Sequence, residues 1–117
     1  MGITYIDGHV RGPVGKEHPV RFLVDSGATY SLLPQSVWEA IGLEPKRRMS
    51  FALADGTPVE RHVSECYVLL PQGDGHTPVI LGQGDDEALL GVVTLEILGL
   101  VFHPFNRTLQ PMKGMLA

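Results

Sequence analysis

The sequence predicts a mostly β fold, a small closed or nearly closed sheet with one or two short helices. Three observations support this. Fourteen glycines and nine prolines break the 117 residues into short pieces, as strands joined by tight turns require. Between these breaks apolar residues alternate or run uninterrupted over short spans, the patterns of half-buried and fully buried strands. Only two stretches, 34–41 and 92–98, space their apolar residues along one helical face.

Ile3-Thr4-Tyr5-Ile6 opens as a strand that Gly8-His9-Val10 extends, and Gly12-Pro13 with Gly15-Lys16 mark a reversal. His18 to Val24 forms the second strand, and its last three residues are continuously apolar, as in a strand buried on both faces. Thr29-Tyr30-Ser31-Leu32-Leu33 reads as a third. Pro34 is placed as the first residue of a helix with body 35–41, where Val37, Trp38 and Ile41 share a face and Gly42 ends it. The segment 48–53 alternates, turns at Asp55-Gly56 and resumes at Val59. Asp-Gly is a hairpin signal because both residues tolerate turn conformations. His62 to Leu70 continues as strand, Gln72-Gly73-Asp74-Gly75 reads as a turn, and Pro78 to Leu81 as another strand. After a polar loop at 82–87, Ala88-Leu89-Leu90-Gly91 leads into a helix at 92–98, with Val92, Leu95 and Leu98 inward and Glu96 outward. Val101-Phe102-His103 and Thr108-Leu109-Gln110 form two final strands about a Pro104-Phe105-Asn106 turn.

Length and composition fit one domain spanning 1–117 with a packed core, at 44% hydrophobic and 19% charged residues. A net charge of −4 supplies no basic field, and Lys46-Arg47-Arg48 reads as a solvated turn, so no nucleic-acid partner is expected. Cys66 is the single cysteine, which rules out an intrachain disulfide; its apolar neighbours suit a core thiol and nothing near it in sequence would lower its pKa. The N-terminal residues lack the basic and apolar regions of a signal peptide. The longest apolar stretch, 88–102, is short for a membrane span and contains Glu96. No membrane partner and a cytoplasmic location are the expectations. Histidines at 9, 18, 62, 76 and 103 form no close ligand pair, so neither metal nor other cofactor is expected.

The chemistry concentrates at Asp25. Leu23-Val24 pull their strand into the core, yet a carboxylate follows at once, and burying one is costly unless it is hydrogen-bonded or neutralised. Gly27 lets the backbone turn and bring amides close, and the Ser26 hydroxyl can bond its neighbours. On Asp25-Ser26-Gly27 alone, an ordinary turn after a strand is the simpler reading. A serine-nucleophile site is disfavoured, because Ser26 and Ser31 lie in no Gly-x-Ser-x-Gly turn and have no base placed by sequence.

The longer segment from Phe22 to Leu33, with Asp25-Ser26-Gly27-Ala28 at its centre, resembles the active-site segment of retropepsin-like (retroviral-type) aspartic proteases. Ala54-Asp55-Gly56-Thr57 resembles the tip of that family's flap hairpin. Ala88-Leu89-Leu90-Gly91 followed by a helix is similar to its second apolar-apolar-Gly element. An acidic residue in the tip resembles bacterial-type, non-viral members. The resemblance implies a small closed β-barrel of the acid protease (retropepsin) type, one lobe per chain. It also implies catalysis by paired carboxylates, and only one Asp-Ser/Thr-Gly occurs here. The second carboxylate therefore has to come from another copy of the chain, making a homodimer with twofold symmetry.

On this reading Asp25 is the acid/base group of each subunit, Ser26 braces the two loops across the dimer, and Gly27 presents backbone groups to substrate beside Ala28. Residues 54–57 close over an extended peptide. The C-terminal run 107–117 could add the intersubunit sheet, although Pro111 and Gly114 argue against a long clean strand. The function implied is an aspartic endopeptidase using water as nucleophile. The alternative is a retropepsin-like dimerisation or peptide-binding module that cleaves weakly or not at all.

Overall fold

The computed structural model describes residues 3–112. Its elements run β1 (Tyr5–Arg11), β2 (Glu17–Val24), β3 (Ser31–Leu33), α1 (Gln35–Ala40), β4 (Arg47–Ala52), β5 (Pro58–Leu70), β6 (Gly73–Leu81), β7 (Leu89–Leu90), α2 (Val92–Ile97), β8 (Leu100–His103) and β9 (Thr108–Pro111). Strands dominate, as the turn-rich sequence predicts, and both helices fall where the apolar spacing put them.

Seven strands form one sheet in the order β1-β2-β7-β3-β6-β5-β4, and β1 also pairs with β5. That extra pairing, through His9, Val10 and Arg11 against Leu69, Val68 and Tyr67, joins the sheet back on itself. A ring of six strands results, with β4 attached outside it as the partner of the first half of β5. A closed sheet leaves fewer exposed edges and encloses its inward side chains. Phe22, Val10, Val68, Val79, Leu33 and Leu90 are all essentially inaccessible in that interior. Val37 and Ile41 bring α1, and Leu95 brings α2, onto the same core. The β8–β9 hairpin forms a separate two-stranded sheet.

The unusual connection is β7. Its two residues lie between β2 and β3, parallel to β2 (Leu23 beside Leu89, Val24 beside Leu90) and antiparallel to β3 (Leu32 beside Leu89). Strands β2 and β3 are adjacent in sequence but are held apart by a strand arriving from far along the chain. The loop between them, residues 25–30, therefore caps the junction of all three.

Four details differ from the sequence expectation. Thr29 and Tyr30 bend and do not pair as strand, because the Thr29 carbonyl is occupied by the Val93 amide at 2.9 Å. Pro34 is the N-cap of α1 and not its first turn, with ψ 153° and a carbonyl that accepts from the Val37 and Trp38 amides. The turn expected at 72–75 is shorter, since Gly73 already pairs with Leu70 and Gly75 with Val68, leaving Pro71-Gln72 to reverse the chain. In β2 only Phe22 of the apolar run is fully buried, and Leu23 and Val24 are half-buried. The two C-terminal strands form as expected, but β9 pairs with β8 of its own chain, and residues 113–117 of the run proposed for an intersubunit sheet lie outside the described residues. Among the described residues no helix is long and apolar enough to cross a membrane.

Candidate active site

Asp25 sits at the end of β2, where the strand leaves the core, and is partly exposed. Its backbone is fixed from both sides. The Asp25 amide donates to the Leu90 carbonyl at 3.1 Å, continuing the β2–β7 ladder one residue further, and its carbonyl accepts from the Ala28 amide at 3.1 Å. The Gly27 amide donates to Asp25 Oδ1 at 3.0 Å. A backbone amide pointed at a carboxylate oxygen fixes the rotamer of that side chain. Ser26 and Gly27 are exposed at the tip of the loop. A side chain on Gly27 would meet Asp25 Oδ1 at 3.3 Å, so glycine keeps the carboxylate's approach open.

The second apolar-Gly element lies directly beneath. The Val92 amide donates to the Ala28 carbonyl and the Val93 amide to the Thr29 carbonyl, each at 2.9 Å. These are the first amides of α2, which have no partner inside their own helix, so the Asp25 loop satisfies the start of α2. The contact is close because Gly91 has no Cβ. One built there would lie 2.6 Å from the Tyr30 carbonyl carbon and 2.9 Å from the Thr29 oxygen.

A buried polar cluster locks this junction. The Gly91 amide donates to Ser31 Oγ at 3.0 Å, Ser31 Oγ and Thr94 Oγ1 share a hydrogen bond of 2.5 Å, and Thr94 Oγ1 meets Thr77 Oγ1 at 2.8 Å. All three hydroxyl residues are almost wholly buried. Buried hydroxyls that satisfy one another resist displacement, because separating them strands polar groups in the core. The cluster ties β3, β6 and α2 together under the Asp25 loop.

Across from this loop stands the β4–β5 hairpin. Its tip is Ala54-Asp55-Gly56-Thr57, as predicted, and all four residues are exposed. The Gly56 amide donates to the Leu53 carbonyl at 2.8 Å, the Leu53 amide to the Thr57 carbonyl at 2.9 Å, and Gly56 adopts φ +88°, which glycine alone accepts without strain. Asp55 Oδ1 accepts from the Thr57 amide at 2.9 Å. Hydrogen bonding from the Thr57 side chain, and then from its amide, holds the Asp55 carboxyl below its ordinary value. Asp55 is thus engaged in shaping the turn.

Between loop and hairpin lies a cavity of about 450 Å³. Gly27, Ala28 and Tyr30 line it on the loop side, Phe51 and Val59 on the hairpin side, and Leu32 in its floor. Tyr30 and Phe51 meet edge to face at 5.9 Å between ring centres, which joins the base of the hairpin to the Asp25 loop. Asp25 and Asp55 are not among the residues lining this cavity.

The structure therefore lines the cleft with Gly27 and Ala28, leaves Asp25 and Ser26 of the same loop outside that lining, and puts residues 54–57 at the exposed tip of the hairpin. The Ser31–Thr94–Thr77 cluster and the Tyr30–Phe51 contact went unread in the sequence. The first joins residues 63 and 17 positions apart, beyond the reach of any local pattern. The second had a signal, the alternation that places Phe51 on the inner face of its strand.

Cys66 is buried and its thiol is pushed up to about 12 by that burial, which makes it a core residue with no nucleophilic character. Among the described residues no group of three or more His, Cys, Asp or Glu side chains gathers in a way that could hold a metal ion.

No curated protein matches the chain in sequence. In three dimensions it is similar to the protease–reverse transcriptase of prototype foamy virus, with a TM-score of 0.56 and 16% identity. That likeness covers 97% of this chain but only 12% of the viral one, and at such identity it speaks for the fold. In sequence, the pattern of the gag-polyprotein aspartyl protease family matches residues 10–96, from β1 through the Asp25 loop and the hairpin to α2. The chain is a member of that retropepsin-like aspartyl protease family.

Proposed function

We propose that this protein is a homodimeric aspartic endopeptidase, a non-viral, bacterial-type member of its family working in the cytoplasm on extended peptides. The observation that carries the proposal is Asp25 itself. Its carboxylate is held by the Gly27 amide on a loop braced by β7 and α2, beside a cleft roofed by a hairpin. A structural aspartate has no need of so built a support.

Catalysis requires two such carboxylates. The 117 residues contain one Asp-Ser-Gly, so the twofold-related copy supplies the other. Two carboxylates in contact do not both ionise readily and share one proton, as is general for aspartic proteases. The ionised member takes a proton from water as the water oxygen attacks the scissile carbonyl carbon. The protonated member hydrogen-bonds the carbonyl oxygen through the tetrahedral intermediate. The proton gained from water then passes to the leaving nitrogen as the C–N bond breaks. Ser26, exposed at the loop tip, bridges the two loops across the axis. Residues 54–57 close over the peptide, which pairs with the hairpin as an added strand.

The test is a peptide-library cleavage assay from mildly acidic to neutral pH, with oligomeric state measured in the same buffers. Cleavage by the wild type that Asp25→Asn abolishes is the expected result. Equal activity in both proteins, or equal inactivity under conditions where both are dimers, would refute the peptidase and leave a binding or dimerisation module.

A further inference from the structure

The hairpin roof has two chemically distinct faces. Residues directly opposite on antiparallel strands point to the same side. Met49 faces Arg61, and Phe51 faces Val59. These four are half-buried, while Arg48, Ser50, Ala52, Pro58 and Glu60 on the other side are exposed. The inner face is thus apolar but for one guanidinium. Among the described residues Arg61 is the only charged one lining the cavity, beside Val59, Ile80 and Leu89.

Among the described residues Arg61 also has no acidic partner. The neighbouring carboxylate, Glu60, lies on the outer face and pairs with Arg48 at 3.6 Å. None of the ion pairs among the described residues includes Arg61. Asp55, the other nearby acid of the hairpin, is turned to the Thr57 amide and does not line the cavity. Arg61 also borders a polar hollow lined by Arg48, Glu60, His62 and Gln83; on the cavity side its neighbours are apolar, and a half-buried cation there gains from a complementary anion. The guanidinium fork matches a carboxylate in two parallel hydrogen bonds.

We propose that Arg61 makes the cleft selective for peptides in which an acidic side chain flanks the apolar residue seated in the cavity. The inference rests on the peptide-cleaving reading of the Asp25 site and names its substrate class. The cavity takes one aliphatic or aromatic side chain, and Arg61 at its rim pairs with an Asp or Glu presented on the same face of the extended peptide.

The experiment measures binding in the Asp25→Asn background, where turnover cannot obscure affinity. Fluorescence anisotropy compares peptides with one central Leu or Phe and a glutamate, or its glutamine counterpart, walked through the flanking positions. Glutamate is expected to bind about 5- to 20-fold tighter at one position, the range of a partly desolvated charge-assisted pair, and the preference should shrink as salt is raised. Adding Arg61→Gln should bring the ratio close to one, and Arg61→Glu should invert it in favour of lysine peptides.

A glutamate-to-glutamine ratio within about twofold at every position, a preference that survives Arg61→Gln, or no binding by any peptide overturns the proposal. The same peptides given to the protein with Asp25 intact separate the two readings. Discrimination in binding without cleavage defeats the peptidase alone, and cleavage indifferent to the acidic residue defeats the selectivity alone.

Discussion

Gly91→Ala is the substitution that most directly tests how the site is held. The glycine has an ordinary φ of −96°, so alanine suffers no backbone strain there and the effect isolates one close contact. The new methyl would lie 2.6 Å from the carbonyl carbon and 2.7 Å from the oxygen of Tyr30, and 2.9 Å from the Thr29 oxygen. All three are backbone atoms, so no rotamer change relieves them, and α2 and the Asp25 loop have to part by most of an ångström. Overpacking of this kind costs about 1–3 kcal/mol.

The separation also loosens the Val92–Ala28, Val93–Thr29 and Gly91–Ser31 hydrogen bonds, each a net contribution of about 0.5–1.5 kcal/mol. A loss of roughly 2–5 kcal/mol in total is expected, a large part of the stability of a small domain. Urea and thermal unfolding followed by circular dichroism measure it. Gly73→Ala is the control, because its added carbon meets only the Leu98 oxygen at an ordinary 3.5 Å; it should stay within about 0.5 kcal/mol of wild type. If Gly91→Ala proves as mild as Gly73→Ala, the reasoning from close approach is wrong.

Three other outcomes are expected. Thr94→Val keeps the shape but removes the hydroxyl shared by Ser31 and Thr77. It should lower stability by about 1–3 kcal/mol in urea unfolding while Thr94→Ser loses clearly less, and an unshifted midpoint for the valine would show the cluster to be energetically idle. Asp55→Ala should speed exchange of the Thr57 amide with solvent deuterium. Because the Asp55 carboxyl is held below its ordinary value by Thr57, its support of the turn is complete above the normal carboxylate range and fades as pH falls through the lowered value; exchange unaltered by substitution would discount it. Cys66 should resist thiol reagents until the protein unfolds. With the native thiol near 12 against an ordinary 9.0, the unfolded chain sheds its proton first, so stability should decline as pH rises through that window. Prompt labelling of native protein would contradict this.

How much of this could be read from the chain alone follows the range of the interactions. Asp55-Gly56 announced its hairpin because the turn is a local matter of permitted dihedrals, and the +88° φ of Gly56 bears this out. The spacing of Val37, Trp38 and Ile41 announced α1 for a similar reason, a period visible within one segment. The Asp25 segment stood out because an acid directly follows Leu23-Val24. By contrast, β7 is only two residues long, too short for any periodicity, and its position depends on partners 66 residues upstream in β2 and 57 in β3. Arg61 was silent for another reason. Its position on the inner face follows from the register that pairs it with Met49, and register is set by the whole hairpin.

The late arrival of β7 has a kinetic corollary. Leu23 and Val24 cannot complete their pairing until Leu89 and Leu90 exist, and the Ala28 and Thr29 carbonyls wait for the amides of Val92 and Val93. Closing so long a loop is entropically costly and slows folding. On the ribosome, a chain that has emerged only as far as β6 therefore carries Asp25 without its scaffold. The Asp25 loop gains its bracing only when β7 and the start of α2 have joined the sheet, so order at this loop is among the later features of the fold to form.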